Sequence, residues 1–200
     1  MTALAVMLLA ASIAGWIAVT DGPPAARAYV RFACVLYAAL AAASAIGAQL
    51  AGAVTLIVSA CAPVLLAIAH RIVFRAPVAA SIAASVLVVG CIAGMTAAAT
   101  NIAVLSFAPL SVSVLVIIAN SLRDFSDRRG PAIQAIASAA ALLAGASAFA
   151  AGGEAAQPAL ILFSAAGLLG IALALAPRSD AAIEQKGAPD LHAGTIRPAR

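Results

Sequence analysis

From Phe32 to His70 the chain reads FACVLYAALAAASAIGAQLAGAVTLIVSACAPVLLAIAH, without a single Asp, Glu, Lys or Arg. A helix that crosses a bilayer needs ~20 mostly apolar residues. This stretch is too long for one such helix and suits two. The expected break is Gly47-Ala-Gln49-Leu-Ala-Gly52, where two glycines flank a glutamine. Arg71 and Arg75 close the pair.

The pattern repeats outward from there. Pro77 to Leu122 is a second uncharged double stretch, with its turn expected at Thr96-Ala-Ala-Ala-Thr100-Asn101. Arg123 to Pro131 is the most polar internal loop, and Ala132 to Pro177 is a third double stretch turning at Gly152-Gly-Glu154-Ala-Ala-Gln-Pro158. Ahead of the first pair lie Met1 to Thr20, an apolar run, and a loop from Asp21 to Arg27 with two prolines. Met1 to Thr20 has no Lys or Arg and exceeds the ~7–15 apolar residues of a signal-peptide core, so it is read as a retained membrane helix. The fold class expected is all-α: a polytopic membrane helix bundle of seven transmembrane helices, one plus three hairpins. The transmembrane domain is placed at 1–177. The polar tail 178–200, interrupted by Pro and Gly, is expected to be a disordered cytoplasmic segment.

Composition agrees. The chain of 200 residues is 65% hydrophobic, 9% charged, and has a mean hydropathy of +1.13. A soluble domain carries about 25% charged residues to cover its surface. The net charge of +4 comes with no basic stripe interleaved with aromatics, so no nucleic acid partner is expected.

The arginines orient the bundle. Arg27, Arg31, Arg71, Arg75, Arg123, Arg128, Arg129, Arg178, Lys186, Arg197 and Arg200 all fall in loops one, three and five or in the tail of a seven-span arrangement. Loops two, four and six carry only Glu154. Basic residues resist translocation, which puts the N-terminus outside and the C-terminus in the cytoplasm. Short arginine-biased loops suit a bacterial inner membrane. The three hairpins resemble one another coarsely, and Ser59–Arg71 aligns without gaps to Ser111–Arg123, a likeness that apolar composition alone produces.

The spans as drawn hold no Asp, Glu, Lys or Arg away from their ends. Intramembrane ionisable groups mark proton relays and ion paths, so a carboxylate-driven pump or antiporter is disfavoured. Lys186, the one lysine, lies in the tail, which excludes a retinal Schiff base in the last span. His70 and His192 stand far apart, and Cys34, Cys61 and Cys91 form no C-x-x-C or Cys/His ligand pattern. The cysteines read as small buried hydrophobes, and His70 as a helix-end histidine favoured by the macrodipole. No motif sets a nucleophile beside a base. No catalytic residue, metal or cofactor is expected, and the chain is read as not an enzyme.

What remains is neutral. Ser106, Ser113 and Asn120 recur every seven residues with Pro109 among them, a candidate face toward a cavity or a partner helix. Pro63 and Pro109 are expected to kink their helices. Gly90-Cys-Ile-Ala-Gly94 is a G-x-x-x-G run, and Ala141 to Gly145 has the same small-residue spacing; both point to close helix packing. The leading functional expectation is a non-enzymatic inner-membrane protein acting by helix contacts as an accessory, assembly or sensing subunit. Its partners would be the lipid bilayer and another membrane-protein subunit. The alternative is a small permease or channel for a neutral or hydrophobic solute.

Overall fold

Among the described residues, charged and helix-breaking residues set off seven helices: α1 (Thr2–Ala18), α2 (Pro24–Ile46), α3 (Ala48–Phe74), α4 (Ala80–Thr100), α5 (Val104–Arg123), α6 (Arg129–Ala151) and α7 (Ala156–Leu175). The structure, a computed structural model, describes residues 2–20, 23–74, 79–100, 102, 104–153 and 155–176. The expected tail at 178–200 lies outside the described residues, as do Asp21, Arg75, Asn101 and Glu154. Among the described residues there is no strand. Six helices, α2 to α7, are long and apolar enough to cross a membrane. The seventh, α1, is apolar but has only 17 residues, roughly 25 Å at 1.5 Å per residue. The chain is therefore a helical membrane bundle of the expected helix number, with one helix short of the usual span.

The breaks follow local chemistry. A single residue, Gly47, separates α2 from α3, with its N–H bonded to the Ala43 carbonyl at 3.1 Å. Gly52 stays inside α3, so the turn is tighter than the expected stretch. Gly152 and Gly153, at φ 75° and 91°, end α6 in a region that side-chain-bearing residues rarely adopt. At 96–100 the sequence predicts a turn, yet α4 runs through Thr100 because alanine favours helix. In loop one the prolines start a helix: Pro23 caps α2 and Pro24 opens it, where a missing N–H costs nothing. Arg27 and Arg31 thus belong to α2 and not to a loop. Arg31 lies about 10 Å along it at 1.5 Å per residue, which corrects the expectation that the spans are free of charge away from their ends.

The helices alternate in direction. α1, α2, α3, α5, α6 and α7 touch in that cyclic order, with α7 closing back on α1. α4 stands outside this ring, against α3 and α5. α3 also reaches α7 across the middle. From Val58 to His70 every residue of α3 is buried, Pro63 included, so helices cover it on all sides. Pro63 sits inside α3 without ending it.

Small residues set the tightest approaches. Gly167 and Gly170 of α7 lie so close to α6 that a side chain at either position would strike Leu142 or Ser138. Gly145 of α6 faces Phe163 and Leu160 of α7. Gly94 of α4 rests on the backbone of Ile57 in α3, where an added Cβ would come within 2.9 Å. Gly90 rests on the Ala60 carbonyl, at 3.3 Å. Lipid is as apolar as leucine, so such packing, and not hydrophobic transfer, holds membrane helices together.

Candidate functional site

In an apolar bundle the informative atoms are the polar ones. Five serines use a local solution: Ser12, Ser44, Ser113, Ser138 and Ser147 each donate to the carbonyl four residues earlier, at 2.6 to 2.9 Å. This back-bonding satisfies a hydroxyl without a partner helix. Three hydrogen-bond contacts among the described residues instead tie α3 to other helices.

At one end, Gln157 of α7 donates through Nε2 to Thr55 Oγ1 at 3.2 Å. Midway, the thiols of Cys61 on α3 and Cys91 on α4 lie 3.4 Å apart. Toward the arginine-bearing end, His70 Nε2 meets Ser121 Oγ of α5 at 3.2 Å. Thr55 and His70 are separated by roughly 22 Å at 1.5 Å per residue. The hub helix is thus tied to three different neighbours at three depths.

The His70 end is the most elaborate. His70 is fully buried, and its ring stacks on Phe74 with centroids 4.4 Å apart. The guanidinium of Arg128, in the turn before α6, lies over Phe74 at 5.5 Å. Across the bundle, Arg31 lies over Trp16 at 4.9 Å, joining α2 to α1. Its Nε is buried without a hydrogen-bond partner among the described residues, and the aromatic face supplies a favourable contact beside it. These contacts gather the basic ends of α2, α3 and α5 and the start of α6 at one end of the bundle.

The sequence alone pairs no nucleophile with a base, and Ser121 with His70 is the pair it misses. Their 3.2 Å separation is that of such a pair. Both side chains are fully buried, however, and Phe74 covers the imidazole ring. In this buried setting the contact ties α3 to α5. His70 stands one turn from the end of α3, and its fully buried ring is held by neighbours as well as by the field of its own helix.

The expected face of α5 divides. Ser106 and Ser113 turn into the bundle, at 0% and 4% exposure. Ser106 Oγ has no hydrogen-bond partner among the described residues, and Ser113 donates to the carbonyl of Pro109 at 2.7 Å. Pro109 is half-buried within α5. Asn120 is half-buried at the edge of the face, its Nδ2 also unpartnered among the described residues. Ser113 also borders a recess of about 200 Å³ between α3, α4 and α5, whose walls include Val64, Ile68, Ile82 and Val116 and whose polar rim is Arg71. Among the described residues no group of three or more His, Cys, Asp or Glu gathers as a metal site.

Compared with protein-family models, curated proteins and solved structures, the chain matches none. The class that the fold defines is a helical membrane bundle, and its function rests on its own residues.

Proposed function

We propose that the chain is a non-enzymatic multi-pass protein of a bacterial inner membrane that acts by helix contacts, as an accessory, assembly or sensing subunit. The observation that carries this reading is the use of its interior polar groups. Thr55, His70, Ser121 and Gln157 join helices to one another, and Ser113 bonds its own backbone, so these groups serve cohesion. Intramembrane polar groups that serve a solute instead face water-filled space. Meanwhile α4 offers an apolar outer face, with Val89 65% and Ile92 56% exposed, to lipid or to a partner helix.

A photo-crosslinker at position 89 in native membranes, paired with native mass spectrometry after gentle solubilisation, tests the proposal. The expected result is one polypeptide adduct and a stoichiometric complex. Lipid adducts alone, with a monomer that carries a small solute, would overturn it. That outcome would favour the second reading, a permease or channel for a neutral or hydrophobic solute, which draws on the recess beside Ser113 and Arg71. The one-sided arginines support a cytoplasmic C-terminus. A reporter active only outside the cytoplasm, fused after Arg200, should stay silent, and a signal from it would reverse the orientation.

A further inference from the structure

Cys61 and Cys91 are thirty positions apart in sequence, 91 minus 61, and share no motif. Folding nevertheless brings their Sγ atoms to 3.4 Å. Both residues are free thiols. They stand near the middles of α3 and α4, which places them deep in the apolar layer. The backbones beside them are held close: Gly90 sits on the Ala60 carbonyl and Gly94 on Ile57, so the neighbours of both cysteines form the closest part of the α3–α4 contact. Cys34 provides the contrast, since it packs against Gly15 of α1, elsewhere in the bundle. The two thiols also differ in access. Cys61 is 2% exposed, whereas Cys91 is half-buried on the outermost helix.

We propose that Cys61 and Cys91 form an intramembrane dithiol site, oxidised to a disulfide by membrane-soluble hydroperoxides, that fastens α4 to α3. A water-soluble oxidant is poorly placed to reach this depth. A lipid-partitioning hydroperoxide arrives through the bilayer at Cys91. There the Cys91 sulfur bonds to the terminal peroxide oxygen as the O–O bond breaks. The departing alkoxide takes the Cys91 thiol proton and leaves as an alcohol, and Cys91, now bearing the terminal hydroxyl, is oxidised to a sulfenic acid. Cys61 Sγ then displaces the hydroxyl group: the Sγ–Sγ bond forms, the S–O bond breaks, and water leaves with the Cys61 proton. The sulfurs must close from 3.4 Å to about 2.05 Å. The product is a covalent link between α3 and α4, which among the described residues packs chiefly on α3 and α5.

The test uses the full chain in lipid nanodiscs, treated with cumene hydroperoxide and then denatured, alkylated with a maleimide and digested. The expected result is a Cys61–Cys91 cross-linked peptide, together with one maleimide adduct per chain in place of three. Hydrogen peroxide at equal concentration should yield the cross-link more slowly. A sulfenic-acid trap should label Cys91 in a Cys61→Ala variant and leave Cys61 unlabelled in a Cys91→Ala variant. Three free thiols after treatment of the wild-type chain, or sulfenic acid on Cys61 first, would overturn the proposal. The wild-type measurement needs no substitution and so does not depend on a variant's folding.

Discussion

α3 and α4 are neighbours of similar apolar character, yet 78% of the α3 span is buried inside the bundle and 22% of the α4 span. α3 is enclosed between α2, α4, α5 and α7, and α4 stands on the outside of the ring. Both would be identified as membrane helices by the same test, and hydropathy cannot rank them. In water an apolar face must be buried, so the hydrophobic pattern reveals the core. In a bilayer the solvent is apolar too, and burial is decided by shape and by polar contacts. α3 holds Thr55, Cys61 and His70, each meeting a different partner helix. α4 attaches through Gly90, Gly94 and Cys91, all toward α3.

The strongest way to break this contrast is to remove packing from α3. Leu66 of α3 is fully buried. Leu66→Ala should destabilise the protein by about 2–5 kcal/mol, the usual range for a core cavity, as measured by reversible unfolding in mixed micelles. A loss below about 0.5 kcal/mol, the level of an exposed substitution, would remove α3 from its central place.

The attachment of α4 comes next. Gly94→Leu inserts a side chain whose Cβ would stand only 2.9 Å from Ile57 Cα. It should cost about 1–3 kcal/mol, as overpacking does, and should expose Cys91 to thiol reagents. Gly52→Leu is the control, because nothing lies within 4 Å of a Cβ there. Equal effects from the two substitutions, measured by the same unfolding assay, would show that α4 does not depend on its glycines.

Polar contacts in membranes are weaker than intuition suggests. Ser121→Ala removes the hydroxyl that meets His70 Nε2 and should cost about 0.6 kcal/mol, up to about 1.7, as interhelical bonds in bilayers do. A double-mutant cycle with His70→Phe isolates the pair term, and zero coupling would reduce the contact to simple packing. The smallest effect should belong to the outer face of α4. Val89, 65% exposed, should tolerate Ala within about 0.5 kcal/mol in the isolated protein. A larger loss measured only in native membranes would sharpen the contrast, since it would reveal a partner on that face.

Helix number and boundaries are readable in the sequence because they depend on local features. Uncharged stretches of the right length, the arginines between them, and Gly47, Pro24 and Gly152 at the breaks act through neighbours in the chain. The polar face of α5 is only half readable. Seven-residue spacing selects Ser106, Ser113 and Asn120, but the buried face also takes in Leu110, Ile117 and Ser121. Its centre falls on the line of Leu110 and Ile117, which draws Ser121 inward and leaves Asn120 at the edge. Rotation about the helix axis is set by the neighbours, and a period of 3.6 leaves that choice open. The G-x-x-x-G spacing at Gly90 and Gly94 announces a close approach without naming its other side. Gly167 and Gly170, which approach α6 more closely still, stand three apart and form no G-x-x-x-G run; Ala166 to Gly170 has the small-residue spacing there.

By itself the sequence determined what depends on composition and near neighbours: an apolar helical chain, the number of its helices and the grouping of its arginines. Those properties follow from transfer free energies and backbone propensity, which act residue by residue. The tertiary structure alone decided that α3 is the enclosed helix and α4 the outer one, that His70 meets Ser121, and that Cys61 faces Cys91. These pairings join residues thirty or more positions apart. They depend on which helix packs against which and on its rotation there, and in an apolar solvent only the close fit of whole helices settles both.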